Sequence, residues 1–309
     1  MKVRAFEEIE ISQSNGRTRA FMKIQDGCDR FCTYCIIPYA RGGKVRSRDM
    51  ESIINEAKTL AENGYEEVVL TGIHVASYGK DLREEDVTLL DVIKKINEID
   101  GIKRIRTSSV EPILFTDEFV NEVSKMEKVM PHYHLSLQSG CDETLKRMNR
   151  RYTTAEYKAI VDKLREAIPN VAITTDVIVG FPGETEEEFN ETYNFLKDIE
   201  LAQMHIFKYS PRKGTKAADM ENQVSPQIKH ERSEKLIQLN KENFERFASK
   251  MIGKEFDVLF EQSVGENRYE GLTPNYLKTF VNCDEDICGK ILKVKITEVK
   301  DEYVEGILV

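Results

Sequence analysis

From about Ala20 to Pro211, short apolar runs alternate with amphipathic stretches along the chain. The runs Ala20–Gln25, Glu67–Thr71, Arg104–Ser108, His132–Gln138, Val171–Val179 and Gln203–Tyr209 read as strands. Between them, the spacing predicts helices over Asp49–Asn63, Thr88–Glu98, Thr116–Met126, Thr153–Ala167 and Glu184–Ile199. Six strands alternating with helices imply βα units and a parallel sheet, because parallel neighbours need crossover connections. The simplest α/β architecture of this kind is an open or partial (βα)6 barrel.

After Pro226 the pattern changes. A long Lys- and Glu-rich helix is expected over Gln227–Lys250, with Leu236, Leu239, Phe244 and Phe247 available to pack back on the barrel. From Met251 the β-like runs Glu255–Glu261, Leu277–Val281, Lys290–Val299 and Val304–Val309 follow, punctuated by Gly265, Asn275 and Gly289. They read as a small all-β antiparallel barrel. The expected organisation is an N-terminal segment over 1–19, a remnant of a linker, then an α/β core over 20–248 and a β-barrel over 249–309.

In sheets of parallel strands the chemistry collects where strand C-termini meet the following loops. The distinctive residues fall in those loops: Gly27–Arg48, Thr71–Gly79, Ser109–Pro112, Gln138–Arg151, Gly180–Thr185 and Ser210–Thr215. The densest is Gly27-Cys28-Asp29-Arg30-Phe31-Cys32-Thr33-Tyr34-Cys35. Three thiolates this close can bind one metal centre, but they fill only three of the four positions of a cubane cluster. An open coordination position is the mark of a catalytic rather than a structural metal. The rival reading is a zinc knuckle completed by a histidine, although the next histidine along the chain is His74.

Composition narrows the setting. The net charge of −9 argues against a protein that coats nucleic acid through its overall field and leaves only local basic strips for RNA. No run of about 18 apolar residues occurs, and the charged N-terminus lacks an apolar signal core, so no membrane association and a cytoplasmic location are expected. Six cysteines in such a chain read as thiols or metal ligands rather than a disulfide framework. Of these, Cys141, Cys283 and Cys288 are scattered and default to buried or unpaired thiols. His132 and His134 share one face of a strand and read as core or rim residues.

In order along the chain, Cys28–Cys35, Pro38-Tyr39-Ala40-Arg41-Gly42, Thr107–Pro112, Leu135–Cys141, Met148–Thr153, Asp176–Thr185 and Phe207–Thr215 resemble the radical S-adenosylmethionine (SAM) methylthiotransferases. Tyr34, an aromatic just before the third cysteine, also resembles that family's form. Gly271-Leu272-Thr273-Pro274-Asn275-Tyr276 looks like its TRAM domain, a small β-barrel used to hold tRNA. The resemblance implies a radical SAM partial barrel followed by a TRAM barrel, with a [4Fe–4S] cluster on Cys28, Cys32 and Cys35 and SAM as ligand of the open iron. Reductive cleavage of SAM would give a 5′-deoxyadenosyl radical that abstracts hydrogen from C2 of a modified adenine. A second SAM would supply the methyl group.

The same resemblance carries SAM-contacting roles to Tyr34, Thr71, Gly72, Ser109, Gln138, Arg150 and Asp176, while no catalytic side chain is named. Gly180–Thr185 is a stiff turn into a helix and a candidate for the adenine pocket. The basic strips after the strand ends make Arg41, Lys44, Arg46, Arg48, Arg151, Arg212 and Lys213 candidate contacts to the phosphates of a tRNA anticodon loop. From Lys250 on, 8 basic residues face 12 acidic ones, so RNA contact by the small barrel would rest on shape and a few placed side chains.

Within the family, Ile36–Gly42 followed by Val45-Arg46-Ser47-Arg48 is most similar to the branch that converts N6-threonylcarbamoyladenosine at tRNA position 37 to its 2-methylthio derivative. The N6-isopentenyladenosine branch, the branch modifying an aspartate of ribosomal protein S12, and a non-catalytic RNA-binding remnant are the alternatives. Family members carry an N-terminal domain with three further cysteines for a second [4Fe–4S] cluster. Residues 1–27 contain no cysteine, so that cluster is expected only with the missing domain. A low-potential donor such as flavodoxin or ferredoxin and a monomeric state complete the expectation.

Overall fold

The computed structural model describes residue 6 and residues 18–82 and 86–309. Most of the expected linker segment 1–19 lies outside the described residues.

The α/β core runs β1 (Arg19–Asp26), α1 (Ile37–Ala40), β2 (Arg46–Ser47), α2 (Met50–Glu62), β3 (Glu67–Gly72), α3 (Leu89–Asn97), β4 (Arg104–Thr107), α4 (Asp117–Val123), β5 (His132–His134), α5 (Asp142–Arg147), α6 (Thr154–Ala167), β6 (Ala172–Val179), α7 (Glu186–Ile199), β7 (Gln203–Lys208) and α8 (Pro226–Ser249). Sequence chemistry sets the helix starts. Asp49 caps α2, Ser225 caps α8 ahead of Pro226, and Thr153 with Glu156 and Thr185 with Glu188 form capping boxes on α6 and α7.

Two parallel ladders, β1-β3-β4 and β5-β6-β7, make the curved wall, and the short antiparallel β2 extends the first at β1. Isolated bridges Ile105↔Val129 and Val110↔Leu135 join the two. Among the described residues no ladder joins β7 to β1, so the barrel stays open along that side. Ala20, Met22 and Ile24 of β1, with Val68 and Leu70 of β3, turn outward into one helix-covered core that includes Ile53, Ile93 and Leu236. The alternate residues turn inward, which is why the inner face is polar.

The fourth expected strand, His132–Gln138, is shorter than the apolar pattern suggests. Regular pairing of β5 stops at His134 because side chains take over its backbone groups. Leu137 N donates to Thr175 Oγ1 (2.9 Å), Tyr157 Oη donates to Leu135 O (2.9 Å), and Gln138 takes φ +76°.

The C-terminal barrel closes in the order β10-β12-β11-β8-β9, from β8 (Glu255–Gly265), β9 (Arg268–Leu272), β10 (Lys278–Asn282), β11 (Ile291–Val299) and β12 (Val304–Leu308). Strand β9 was not expected from its charged, glycine-containing sequence. Gly271 is required there, since a Cβ would lie 2.5 Å from Leu259 O. No described helix is long and apolar enough to cross a membrane.

Candidate cluster and cofactor site

The cysteine loop leaves β1 through Gly27, whose φ of +74° and close approach to Lys44 O (2.0 Å from an added Cβ) admit no side chain. Gln25 braces the exit: its amide donates to the carbonyls of Asp26 (2.8 Å) and Gly27 (2.7 Å), and its Oε1 accepts from His74 N (2.7 Å). The far side is pinned by the segment after α5. Asn149 Nδ2 donates to the carbonyls of Arg30 (3.2 Å) and Phe31 (3.0 Å), and Thr33 donates from N to Met148 O (3.1 Å) and from Oγ1 to Arg147 O (2.9 Å). A fixed loop of this kind presents its thiols without paying ordering entropy at binding.

Cys32 is buried, Cys28 and Cys35 are partly exposed, and all three are free thiols. Arg30 N lies 3.4 Å from Cys28 Sγ and Arg150 Nη1 lies 3.2 Å from Cys32 Sγ, placing donors on two of the sulfurs. Burial pushes the Cys28 thiol up to about 11 and raises Cys35 as well, so metal-free they remain protonated and release protons on ligation. The three thiols on one loop fit the donor set of a three-thiolate cluster, and His74, the next histidine along the chain, is turned to Glu111 (2.8 Å).

Behind the loop lies a charge hub centred on Glu111, after β4. Its Oε2 meets Arg30 Nε (2.9 Å) and His74 Nε2 (2.8 Å), and its Oε1 meets Arg150 Nη1 (3.0 Å). Burial pushes the Glu111 carboxyl upward, but the His74 hydrogen bond and the charges of Arg150, His74 and Arg30 outweigh it and hold the pKa at about 2. The guanidinium of Arg150 thus bridges Glu111 and the Cys32 sulfur, while its Nε donates to Tyr152 Oη (2.9 Å). Glu111, Arg30 and His74 were not singled out from the sequence. Their only signal there is that Glu111 belongs to the Thr107–Pro112 stretch and the other two to strand-end loops.

The expected SAM contacts divide. Tyr34 packs edge-on against Phe181 at 6.4 Å, Ser109 is exposed on the rim, and Gln138 is buried at its left-handed position. The Thr71 hydroxyl donates to Met22 O (3.0 Å) and is structural, which leaves backbone groups at Thr71 and Gly72 for a ligand. Asp176 stands apart from the loop on the inner face of β6. Its Oδ1 lies 3.3 Å from both His134 Nε2 and His205 Nδ1, so its carboxylate is already engaged. Burial acts to raise its pKa, but those two hydrogen bonds win and hold it well below the carboxylate range; the same contact raises His205.

Two of the expected phosphate contacts need correction. Arg46 and Arg48 are buried at 5% and 1% exposure. Arg46 donates to Arg41 O (3.0 Å) and faces Asp26 (3.5 Å), while Arg48 pairs with Glu56 and donates to Ser52 Oγ (3.0 Å). They anchor the loop and α2 and offer nothing to a phosphate. Arg41, Lys44, Arg151, Arg212 and Lys213 are exposed.

The small barrel docks at the opposite end, against the strand N-termini. Fully buried Glu67 gathers Arg104 (3.4 Å) and Arg106 (2.8 Å). These arginines donate to Leu272 O (3.1 Å), Thr273 O (3.0 Å) and Pro274 O (2.8 Å). Tyr276 stacks on His132 at 4.3 Å and 9°. The Gly271–Tyr276 stretch is therefore mainly an interdomain contact, with Thr273 and Asn275 fully buried.

Comparison with known proteins agrees with this geometry. A family described as the radical SAM superfamily matches residues 22–196, and the TRAM domain matches residues 249–309. The chain is 44% identical over 311 residues to the threonylcarbamoyladenosine tRNA methylthiotransferase MtaB of Bacillus subtilis, covering 99% of this chain and 68% of that protein. It is also 44% identical over 308 residues to the tRNA-2-methylthio-N(6)-dimethylallyladenosine synthase of Thermoanaerobacter pseudethanolicus, covering 98% and 64%. The chain thus spans about two thirds of the length of these relatives. Among solved structures, coproporphyrinogen III oxidase of Escherichia coli, a radical SAM enzyme, shares the fold with a TM-score of 0.55 at 16% identity, over 76% of this chain and 54% of that one. The methyltransferase TsrM of Kitasatospora setae does so with a TM-score of 0.54 at 17% identity, over 64% and 38%.

Proposed function

Because the chain belongs to the radical SAM tRNA methylthiotransferases, we propose that it acts in the cytoplasm on tRNA, methylthiolating C2 of N6-threonylcarbamoyladenosine at position 37. Cys28, Cys32 and Cys35 hold a [4Fe–4S] cluster whose fourth iron is left for SAM. When bound, the pair supplies a one-electron cleavage of SAM and the resulting 5′-deoxyadenosyl radical. The chain's own residues do the positioning. Arg150 donates to the Cys32 sulfur and, through Glu111, ties that sulfur's surroundings to Arg30 on the cysteine loop and to His74 beyond β3. This hub is the observation that carries the reading: a carboxylate held ionised between two arginines and the His74 ring fixes the ligand loop against two other strand ends.

Tyr34, Ser109, Gln138 and the backbone at Thr71 and Gly72 are the SAM contacts in this reading, and Asp176 is not among them because its carboxylate is engaged by two histidines. The open side between β1 and β7 admits the base, and Arg41, Lys44, Arg151, Arg212 and Lys213 meet the anticodon-loop phosphates. Electrons come from a low-potential flavodoxin or ferredoxin. These residues account for the radical half of the reaction. The N6-isopentenyl base is the second reading, since relatives named for either base share 44% identity with the chain.

Mass spectrometry of tRNA nucleosides from a deletion strain tests the assignment. Loss of 2-methylthio-N6-threonylcarbamoyladenosine is expected. Loss of the isopentenyl derivative instead selects the second reading, and an unchanged profile rejects both.

A further inference from the structure

The barrel's inner wall carries a second cluster of metal-ligating side chains, remote in chemistry from the thiol loop. His134, Asp176 and His205 come from the adjacent strands β5, β6 and β7, and one ligand atom from each lies within 4.8 Å of the other two. Two histidines and one carboxylate are a donor set suited to divalent first-row ions, with positions left open for a further ligand.

The distances suit an ion as well as they suit a hydrogen-bonded trio. Both imidazole nitrogens stand 3.3 Å from the same oxygen, Asp176 Oδ1. Charge-assisted N–H···O contacts settle at about 2.7–2.9 Å. Bonds of about 2.0–2.1 Å in a tetrahedral arrangement instead separate their ligand atoms by about 3.3–3.4 Å. The two spacings equal that tetrahedral edge, so an ion could take the place of the imidazole protons between the same atoms with little movement of the half-buried carboxylate.

Orientation supports the same reading. Thr174 Oγ1 lies 3.0 Å from His134 Nδ1 and 3.2 Å from His132 Nε2, so the hydroxyl holds the far nitrogen of His134 and directs Nε2 toward Asp176. Metal-ligating histidines almost always have such an outer partner. Access exists from the lumen, because the His205 side chain is 51% exposed while His134 is 13% exposed. The two rings lie 5.4 Å apart at 25°, side by side along the wall.

We propose that His134, Asp176 and His205 form a binding site for a divalent transition ion, of the zinc or ferrous class, in the barrel lumen, with its open position facing whatever the lumen admits. The site is independent of the cluster, whose donors are sulfur.

Zinc added to the full chain after anaerobic cluster reconstitution, when iron occupies the thiols, tests this. One equivalent is expected to remain bound through desalting, with an X-ray absorption first shell of nitrogen and oxygen only, at about 2.0–2.1 Å. His205→Ala, at an exposed position that folding tolerates, is expected to weaken zinc binding more than about tenfold, and Thr174→Val by about 10–100-fold. Binding weaker than about 0.1 mM, sulfur in the first shell, or zinc retained equally by His205→Ala would each overturn the proposal. Circular dichroism of each variant separates loss of ligand from loss of fold.

Discussion

Replacing Glu111 with Gln removes the one carboxylate that faces Arg30, His74 and Arg150 while keeping its size. A carboxyl brought from an ordinary 4.5 to about 2 contributes about 3 kcal/mol at neutral pH. Breaking a buried ion pair on one side costs a similar 3–5 kcal/mol. The sign follows from linkage. The folded pKa is depressed, so the contribution is complete above about 4.5 and is lost as pH falls toward about 2. Urea unfolding of the wild type and Glu111→Gln should therefore differ by about 3 kcal/mol at pH 7, and the gap should narrow by about 1 kcal/mol at pH 4. Equal midpoints at pH 7, or a gap that widens on acidification, would refute the role assigned to the hub.

The other expectations concern separate parts of the molecule. Arg48→Ala should destabilise the fold by about 3–5 kcal/mol through the orphaned Glu56, with tRNA affinity of the folded fraction unchanged. Arg151→Ala or Arg212→Ala should leave the unfolding midpoint alone and flatten the salt dependence of tRNA binding by about 0.7 in log–log slope. Gly27→Ala should strain the loop by about 1–3 kcal/mol and lower iron content after reconstitution, read by iron assay. Tyr276→Ala should cost about 1–2 kcal/mol from the lost His132 and Arg106 contacts and speed proteolysis between the core and the small barrel.

Much of this architecture was readable because local signals agreed with one another. Asp49, Thr153 and Thr185 announce helix starts by capping chemistry that acts within four residues, and the outward apolar positions of β1 and β3 set those strands. The three cysteines were legible for the same reason, being close in sequence. What escaped depends on distance. Glu111 acquires its role only when loops around residues 30, 74 and 150 converge on it.

Charge alone also misled. Arg48 sits in a basic strip that looks like an RNA surface, yet Glu56, nearly two turns into α2, draws it into the core. The Gly271–Tyr276 stretch resembles an RNA-holding motif, but the carbonyls of Leu272, Thr273 and Pro274 are taken by arginines of the barrel floor. Side-chain capture of the β5 backbone by Thr175 and Tyr157 is likewise invisible to a hydrophobic pattern.

The central claim is that Cys28, Cys32 and Cys35 present an open-sited cluster to SAM. Anaerobic reconstitution with iron and sulfide, followed by dithionite and SAM, measures it directly by chromatography of the nucleoside products. The wild type carrying about four irons should release 5′-deoxyadenosine and methionine, and Cys32→Ala should release none. A wild type that binds the iron yet leaves SAM intact, or a Cys32→Ala variant that cleaves it equally well, would contradict the account.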